Sequence, residues 1–341
     1  RWVTNGVAKY TDEPLSRKEG QVTATVQPQA KIGDIRQEPT SIIILTADCL
    51  DYTKKCLDSL AKYTRNIQLI IVDNGSQPET VAYLQNLKKF QDYTLILNGE
   101  NKGVPYGWNE GIKVAKHDYI AIVNNDCLFS PRWLEYLQQC FTDNPDCSVA
   151  SSTTSYSNGR QCDWRIAPKR FEWTQQDIND YAAALPQEYI NTEIFGFAFL
   201  THKRIIEKIG VFDYKRYGMG SCEEVDFNWR TQQKGHKTYW VRHSYVHHYG
   251  HVTFEQGNVA LDCYHLCKVN RRKFDDRVAN EPELYVPNDV QEPAVQHTKP
   301  SKKIDVIMVV LDRKEETQLT LNSLFTSNNK KNLNLIIVDN G

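Results

Sequence analysis

Short, continuous apolar runs alternate with amphipathic stretches over the first half of the chain. SIIIL (41–45), LIIVD (69–73), TLILN (94–98) and YIAIV (119–123) are rich in β-branched residues and bounded by polar turns, which predicts strands. YTKKCLDSLAKY (52–63) and PETVAYLQNLKKF (78–90) separate them and read as helices. A strand buried on both faces is apolar throughout, so this alternation predicts an α/β fold with a mainly parallel sheet flanked by helices. Beyond Cys147 the pattern loosens into a stretch rich in Trp and Tyr. IFGFAFLTHKRIIEKIGVFD (194–213) then offers a strand and a helix, and EEVDFNWRTQQKGHKTYWV (223–241) a helix and a strand, so the second half is less regular.

The pattern recurs near the end. NIQLIIVDNG (66–75) returns as NLNLIIVDNG (332–341), and SIIILTADCLDYTKKCLDSL (41–60) aligns with DVIMVVLDRKEETQLTLNSL (305–324), Asp48 falling on Asp312. Residues 1–39 are polar and without a sustained period, and the stretch ANEPELYVPNDVQEPAVQHTKPSKK is polar and Pro-rich. The expected organisation is a linker or domain tail at 1–39, a domain at 40–277, a linker at 278–302 and the opening of a second, similar domain at 303–341. On this reading the sequence is a segment of a longer tandem-domain protein.

Charge and cysteines narrow the classes. With 41 basic and 42 acidic residues there is no basic excess of the kind a nucleic-acid surface needs. No apolar run approaches the roughly 20 residues of a membrane span, which leaves peripheral membrane association open. Nine cysteines at irregular spacing do not form a disulfide framework, which favours a reducing, cytoplasmic compartment, at most at the inner face of a membrane. Cys263, His265 and Cys267, near His247, His248 and His251, have the residue types of a zinc site, but CYHLCKVNRR reads better as a helix with its Cys residues facing the core. YGMGSCEE lacks the third Gly of a dinucleotide fingerprint and does not follow a first strand, which excludes a dehydrogenase.

Ligands of open α/β sheets bind beyond the carboxyl ends of the strands. Those ends carry Thr46-Ala47-Asp48, Asp73-Asn74-Gly75, the segment NGENKG and Asn124-Asn125-Asp126. Ser221-x-x-Glu224 has capping-box spacing, which explains any two acids there but not the three at Glu223, Glu224 and Asp226.

Taken in order, CLDSL, VDNGS, NKGVPYGWNEGI, NNDC, GFAFLTHKRIIEKIGVFD, EEVDFNWR and VHHYGH resemble the inverting family 2 glycosyltransferases of GT-A fold, with rhamnosyltransferase-like members nearest. The resemblance covers about Ser41 to Phe254 and implies a metal-dependent transfer of sugar from a nucleotide diphospho-sugar to a glycan or lipid-linked glycan acceptor, as in bacterial surface polysaccharide assembly. It implies that Asp73 recognises the base, with Thr46, Asp48, Asn101, Lys102, Gly103, Asn109, Asn124 and Asn125 around the donor. Asp126 and His247 would hold Mg or Mn; Asn124 stands where the family carries an acid, leaving one carboxylate. The base that deprotonates the acceptor would be Glu224 or Glu223, with Asp226 orienting its neighbours. Two alternatives stay open, a sugar nucleotidyltransferase and a catalytically inactive nucleotide-sugar-binding module. The first lacks its basic, Gly-rich phosphate loop in LTADCLDYTKK.

Overall fold

The computed structural model describes residues 36–87, 90, 92–250, 252, 263–281, 284–287, 304–310 and 333–339. The chain divides into two compact units, one running to Asn288 and one from Asp289.

In the first unit the elements are β1 (Thr40–Thr46), α1 (Leu50–Tyr63), β2 (Ile67–Asp73), α2 (Pro78–Gln85), β3 (Tyr93–Leu97), α3 (Val104–Val114), β4 (Tyr119–Asn124), β5 (Cys127–Phe129), α4 (Trp133–Asp143) and β6 (Cys147–Thr153). They continue with α5 (Gln175–Ala183), β7 (Tyr189–Asn191), β8 (Ala198–His202), α6 (Lys203–Ile209), α7 (Tyr214–Tyr217), α8 (Glu223–Gln233), β9 (Lys237–His248) and α9 (Cys263–Asn280). The sheet order is β3-β2-β1-β4-β8-β6-β9-β5, with β7 on β9. Strands β3, β2, β1 and β4 are parallel, as the apolar runs predict, whereas β8 runs antiparallel to both β4 and β6.

Period-two alternation distributes the central strands between two cores. Ile42, Ile44, Leu69, Ile71, Ala121 and Val123 face α1 and α4, meeting Leu57, Leu60, Leu134 and Leu137. Ile43, Ile70, Val72, Ile120 and Ile122 face the opposite layer, meeting Trp108, Ile112, Phe199 and Phe212. Helix α1 shows the matching period, burying Thr53, Cys56, Leu57 and Leu60. Each such Leu or Ile contributes about 1.5–3 kcal/mol by leaving water.

Helix α3 explains the glycines of NKGVPYGWNEGI. A Cβ on Gly107 would lie 2.3 Å from Leu45 Cδ1, and one on Gly111 would lie 2.5 Å from Ile43 Cγ2, so only glycine lets α3 lie this close to β1. That approach sets the first turn of α3 beside the carboxyl end of β1.

In the second unit, β10 (Ile304–Val310) and β11 (Leu333–Asp339) pair in parallel from Ile304 with Leu333 to Val310 with Asp339. β1 and β2 pair the same way, from Thr40 with Ile67 to Thr46 with Asp73. Asp312 and residues 1–35 lie outside the described residues.

Candidate active site

β1 pairs with β2 on one side and β4 on the other, which is the switch point where open α/β sheets bind ligands. The register places Thr46 beside Asp73 and Leu45 beside Asn124. A cleft of about 230 Å³ opens over these ends. Its walls include Thr46, Asn74, Asn101, Asn124, Asn125, Asp126, Tyr156, Phe195, Glu224 and His248.

On the donor side, Asp73 is buried and turns one oxygen, Oδ2, to the backbone N–H groups of Gly75 (3.2 Å) and Ser76 (3.1 Å). Its Oδ1 has no partner among the described residues. A buried carboxylate oxygen left without a donor is costly, so it is a ready acceptor for a ligand N–H. Three asparagines tie the ends of β2 and β3 to α3. Asn98 Nδ2 donates to Asn74 Oδ1 (2.7 Å), and Asn74 Nδ2 donates to Asn101 Oδ1 (3.2 Å) and Gly103 O (3.0 Å). Asn125 Nδ2 donates to Thr53 Oγ1 (2.9 Å) and Thr46 Oγ1 (3.3 Å).

Asp73 and Gly103 lie outside the cleft lining, and so do three further predicted donor residues. Asn109 is buried, donating from Nδ2 to Phe212 O (2.7 Å) and accepting from Phe212 N–H (3.1 Å), so it holds α3 to the following layer. Asp48 accepts from Gln77 N–H (2.6 Å), beside the cleft but outside its lining, and Lys102 lies over the Tyr106 ring at 5.0 Å.

The histidine facing Asp126 is His248, not His247. β9 pairs His248 with Cys127 and His247 with Leu128, so adjacent histidines point to opposite faces. His247 contacts the Tyr245 hydroxyl (3.0 Å) and Arg170 O (2.8 Å), stacks on Trp173, and is held down to about pH 4 by burial. His248 Nε2 lies 3.1 Å from Asp126 Oδ1, while Gly250 N–H donates to Asp126 Oδ2 at 3.0 Å. Burial opposes both charges. The ion pair outweighs it, raising the His248 pKa and lowering that of Asp126.

Asp126, Cys127 and His248 present ligand atoms within 4.8 Å of one another, the one such group among the described residues. The donor set fits a hard divalent cation through two of the three. His248 Nδ1 donates to Tyr156 O at 2.7 Å, which fixes the tautomer and leaves Nε2 facing Asp126 as a metal ligand requires. Cys127 fits poorly, because burial holds its thiol protonated and it donates to Phe197 O at 3.6 Å. Around the alternative zinc cluster, Cys267 is exposed on α9 rather than turned to the core, and so is His265, while His251 lies outside the described residues.

Helix α8 delivers the acids. Its N-cap is Cys222, left-handed at φ 72° and without a side-chain cap bond, so the Ser221/Glu224 capping box does not form. Glu224 reaches the cleft, whereas Glu223 is buried outside its lining. Burial raises the pKa of both against the helix dipole, and the neighbouring Glu224 charge raises Glu223 further. One oxygen of each, Oε2, has no partner among the described residues. Asp226 points away. It accepts from Arg230 Nε (2.8 Å) and lies 3.2 Å from Arg277 Nε, in a buried ionic cluster.

The aromatic segment divides too. Trp164 is 56% exposed with its ring 6.3 Å from Tyr156 on the cleft wall, whereas Trp173 packs inward against Tyr181 and His247. The lining residues Tyr156, Ser157, Asn158 and Met219 come from irregular segments that no periodicity in the sequence marks.

The sequence profile described as glycosyl transferase family 2 matches residues 41–210. The putatively named glycosyltransferase EpsH of Bacillus subtilis is 26% identical over 129 residues, 37% of this chain and 38% of that protein. An uncharacterised glycosyltransferase of Rickettsia prowazekii is 27% identical over 177 residues, 51% of this chain and 53% of that one. The chain thus matches about half or less of the length of these relatives. Among solved structures, the mannosyltransferase PcManGT of Pyrobaculum calidifontis, in complex with GDP-Man and Mn2+, superposes with a TM-score of 0.52 at 13% identity. That superposition covers 76% of this chain and 69% of the mannosyltransferase, and it places the chain among GT-A folds.

Proposed function

Residues 41–210 belong to glycosyl transferase family 2, and from that premise we propose that the chain is a metal-dependent, inverting glycosyltransferase acting on a nucleotide diphospho-sugar. The observation that carries this reading is one cleft lined by both the Asp126–His248 pair and Glu224, over the switch point of the sheet. Asp73 Oδ1 accepts the ring N–H of the base, and the asparagines at 74, 101 and 125 surround the donor. Asp126 and His248 are the residues that hold Mg or Mn. A divalent cation bound there supplies positive charge to the departing diphosphate.

Glu224 takes the proton from an acceptor hydroxyl. The freed oxygen attacks the anomeric carbon on the face opposite the leaving group, the carbon–oxygen bond to the diphosphate breaks with its electron pair, and the nucleoside diphosphate departs. Tyr156 and the exposed Trp164 offer aromatic faces to the acceptor, for which a glycan or lipid-linked glycan of surface polysaccharide assembly is the matching class. The recurrence of the β1–β2 pairing in β10 and β11 supports reading 303–341 as the opening of a second domain of the same kind.

A thermal-shift panel of UDP-, GDP- and dTDP-sugars, with and without Mn2+, tests the reading. A ligand bound 100-fold above its Kd stabilises the fold by about 2.7 kcal/mol. At least one nucleotide sugar should raise the melting temperature only when Mn2+ is present. No shift with any of them contradicts the proposal.

A further inference from the structure

The loop that leads into α8 is held in a conformation that Ser221 and Cys222 disfavour. Gly218, Gly220, Ser221 and Cys222 all have positive φ, at 53°, 126°, 74° and 72°. For Ser and Cys this region is disfavoured, and it persists only where the surroundings over-determine it. Within α8 the N-cap makes no side-chain bond, and the Glu223 carboxyl reaches back to accept from the Ser221 backbone N–H.

Further restraint comes from α9. Asn270 is fully buried, and its Nδ2 donates to both Tyr217 O (2.8 Å) and Gly220 O (2.6 Å), bracketing the turn at 218–220 that runs directly into Ser221 and Cys222. The same stripe of α9 adds Cys267, which accepts from Ser221 Oγ at 3.1 Å, and Phe274, which packs with Tyr217 and Val225. One turn further, Arg277 lies 3.2 Å from Asp226 and 2.9 Å from Asp213. Positions 267, 270, 274 and 277 recur at helical spacing, so one face of α9 grips both the loop and the helix behind it. On the other side Val104 N–H donates to Met219 O at 3.2 Å, and a Cβ on Gly103 would lie 2.2 Å from Gly218 O. The loop is therefore clamped between α9 and the donor-side end of α3.

Asn270 does this at a cost to itself. Its Oδ1 is buried without a partner among the described residues, a desolvation penalty that an apolar residue would avoid. Core packing alone gives no reason for an amide here.

We propose that Asn270 is a positioning residue for transfer, fixing the left-handed loop so that the first turn of α8 presents Glu224 to the cleft. The inference rests on the reading of Glu224 as the acceptor base. Asn270→Asp keeps the shape but turns a carboxylate oxygen toward two carbonyls, while Asn270→Ala removes the bonds.

The full chain, with whichever sugar of a UDP-, GDP- and dTDP-sugar panel it hydrolyses, gives kcat. Mn2+ with UDP or GDP gives the nucleotide Kd by calorimetry. In both variants kcat should fall about 10- to 100-fold, as expected when a reacting group is misplaced by an ångström, with Kd little changed. Hydrogen exchange should rise selectively at residues 218–224. Leu137→Ala, in the opposite core, is the control for lost stability and should leave kcat near wild type. Wild-type kcat in Asn270→Asp, or an equal kcat loss in Leu137→Ala, overturns the proposal. Glu224→Gln separates the levels: full turnover in it overturns the base reading itself, whereas an inactive Glu224→Gln beside a fully active Asn270→Asp overturns only the role of Asn270.

Discussion

Replacing Arg230 by Met should destabilise the first unit severely. Arg230 is 0% exposed and donates internally from each of its three nitrogens, from Nε to Asp226 Oδ2 (2.8 Å), from Nη1 to Ile209 O (2.6 Å) and from Nη2 to Val211 O (2.8 Å). Met fills similar space but leaves a buried carboxylate with one cation fewer and takes the guanidinium donors from two carbonyls, of which Ile209 O keeps the Val286 N–H. Breaking one side of a buried pair costs about 3–5 kcal/mol. For a unit of this size each kcal/mol moves the melting temperature by about 2–4 °C, so a fall of roughly 6–20 °C is expected. Scanning calorimetry on the full chain measures it. A fall below about 2 °C would refute the reasoning, since it would mean that water already reaches the pair. Because Asp226 belongs to this cluster, Asp226→Asn should likewise lose stability while keeping turnover per folded molecule.

Other expectations follow the same geometry. Asp126→Asn should abolish Mn2+-supported UDP or GDP binding by calorimetry, His248→Ala should weaken it strongly, and His247→Ala should leave it nearly intact while lowering the melting temperature. Asp73→Asn keeps an acceptor for Gly75 and Ser76 N–H but puts a donor where Oδ1 stands, so calorimetric affinity for UDP should drop at least about tenfold, or 1.4 kcal/mol. His243, held neutral down to about pH 4 chiefly by burial, has a folded pKa below its unfolded value. The stability it contributes is present above about pH 6.5 and is lost as pH falls toward 4, by at most about 1.4 kcal/mol per pH unit. Urea midpoints should follow that slope, and His243→Gln should reduce it, with buried His247 still contributing in the same direction.

The parallel half of the fold was legible because strands buried on both faces carry uninterrupted apolar runs, and Ile43 and Ile44 serve opposite cores from adjacent positions. β6 was not, because CSVASST uses small polar residues whose burial depends on partners far along the chain: Ser151 donates to Ala198 O and Ser152 pairs with Ser244. The strand-end polar residues came out of the same logic, and the register brings most of them to one cleft. What alternation could not decide was which histidine faces Asp126. Period two fixes that His247 and His248 point oppositely, but the choice needs the pairing of β9 with β5, a three-residue strand hidden in CLF. Likewise the Ser221-x-x-Glu224 spacing suggests a capping box, but the positive φ of Ser221 and Cys222 makes Cys222 the N-cap, without a side-chain bond.

Comparing Glu224→Gln with Glu223→Gln in donor turnover tests the account most directly. Gln keeps the size and polarity of either side chain but cannot accept a proton. Glu224→Gln should lower kcat by about 10² to 10⁴ with nucleotide affinity unchanged. Glu223→Gln, which replaces a buried carboxyl outside the cleft lining, should keep kcat within a few-fold and be the more stable at neutral pH, where the ionised form is penalised. The raised pKa of Glu224 places the wild-type acid limb above the ordinary carboxylate range, activity rising with pH as the base deprotonates. Full turnover in Glu224→Gln beside an inactive Glu223→Gln would contradict the account.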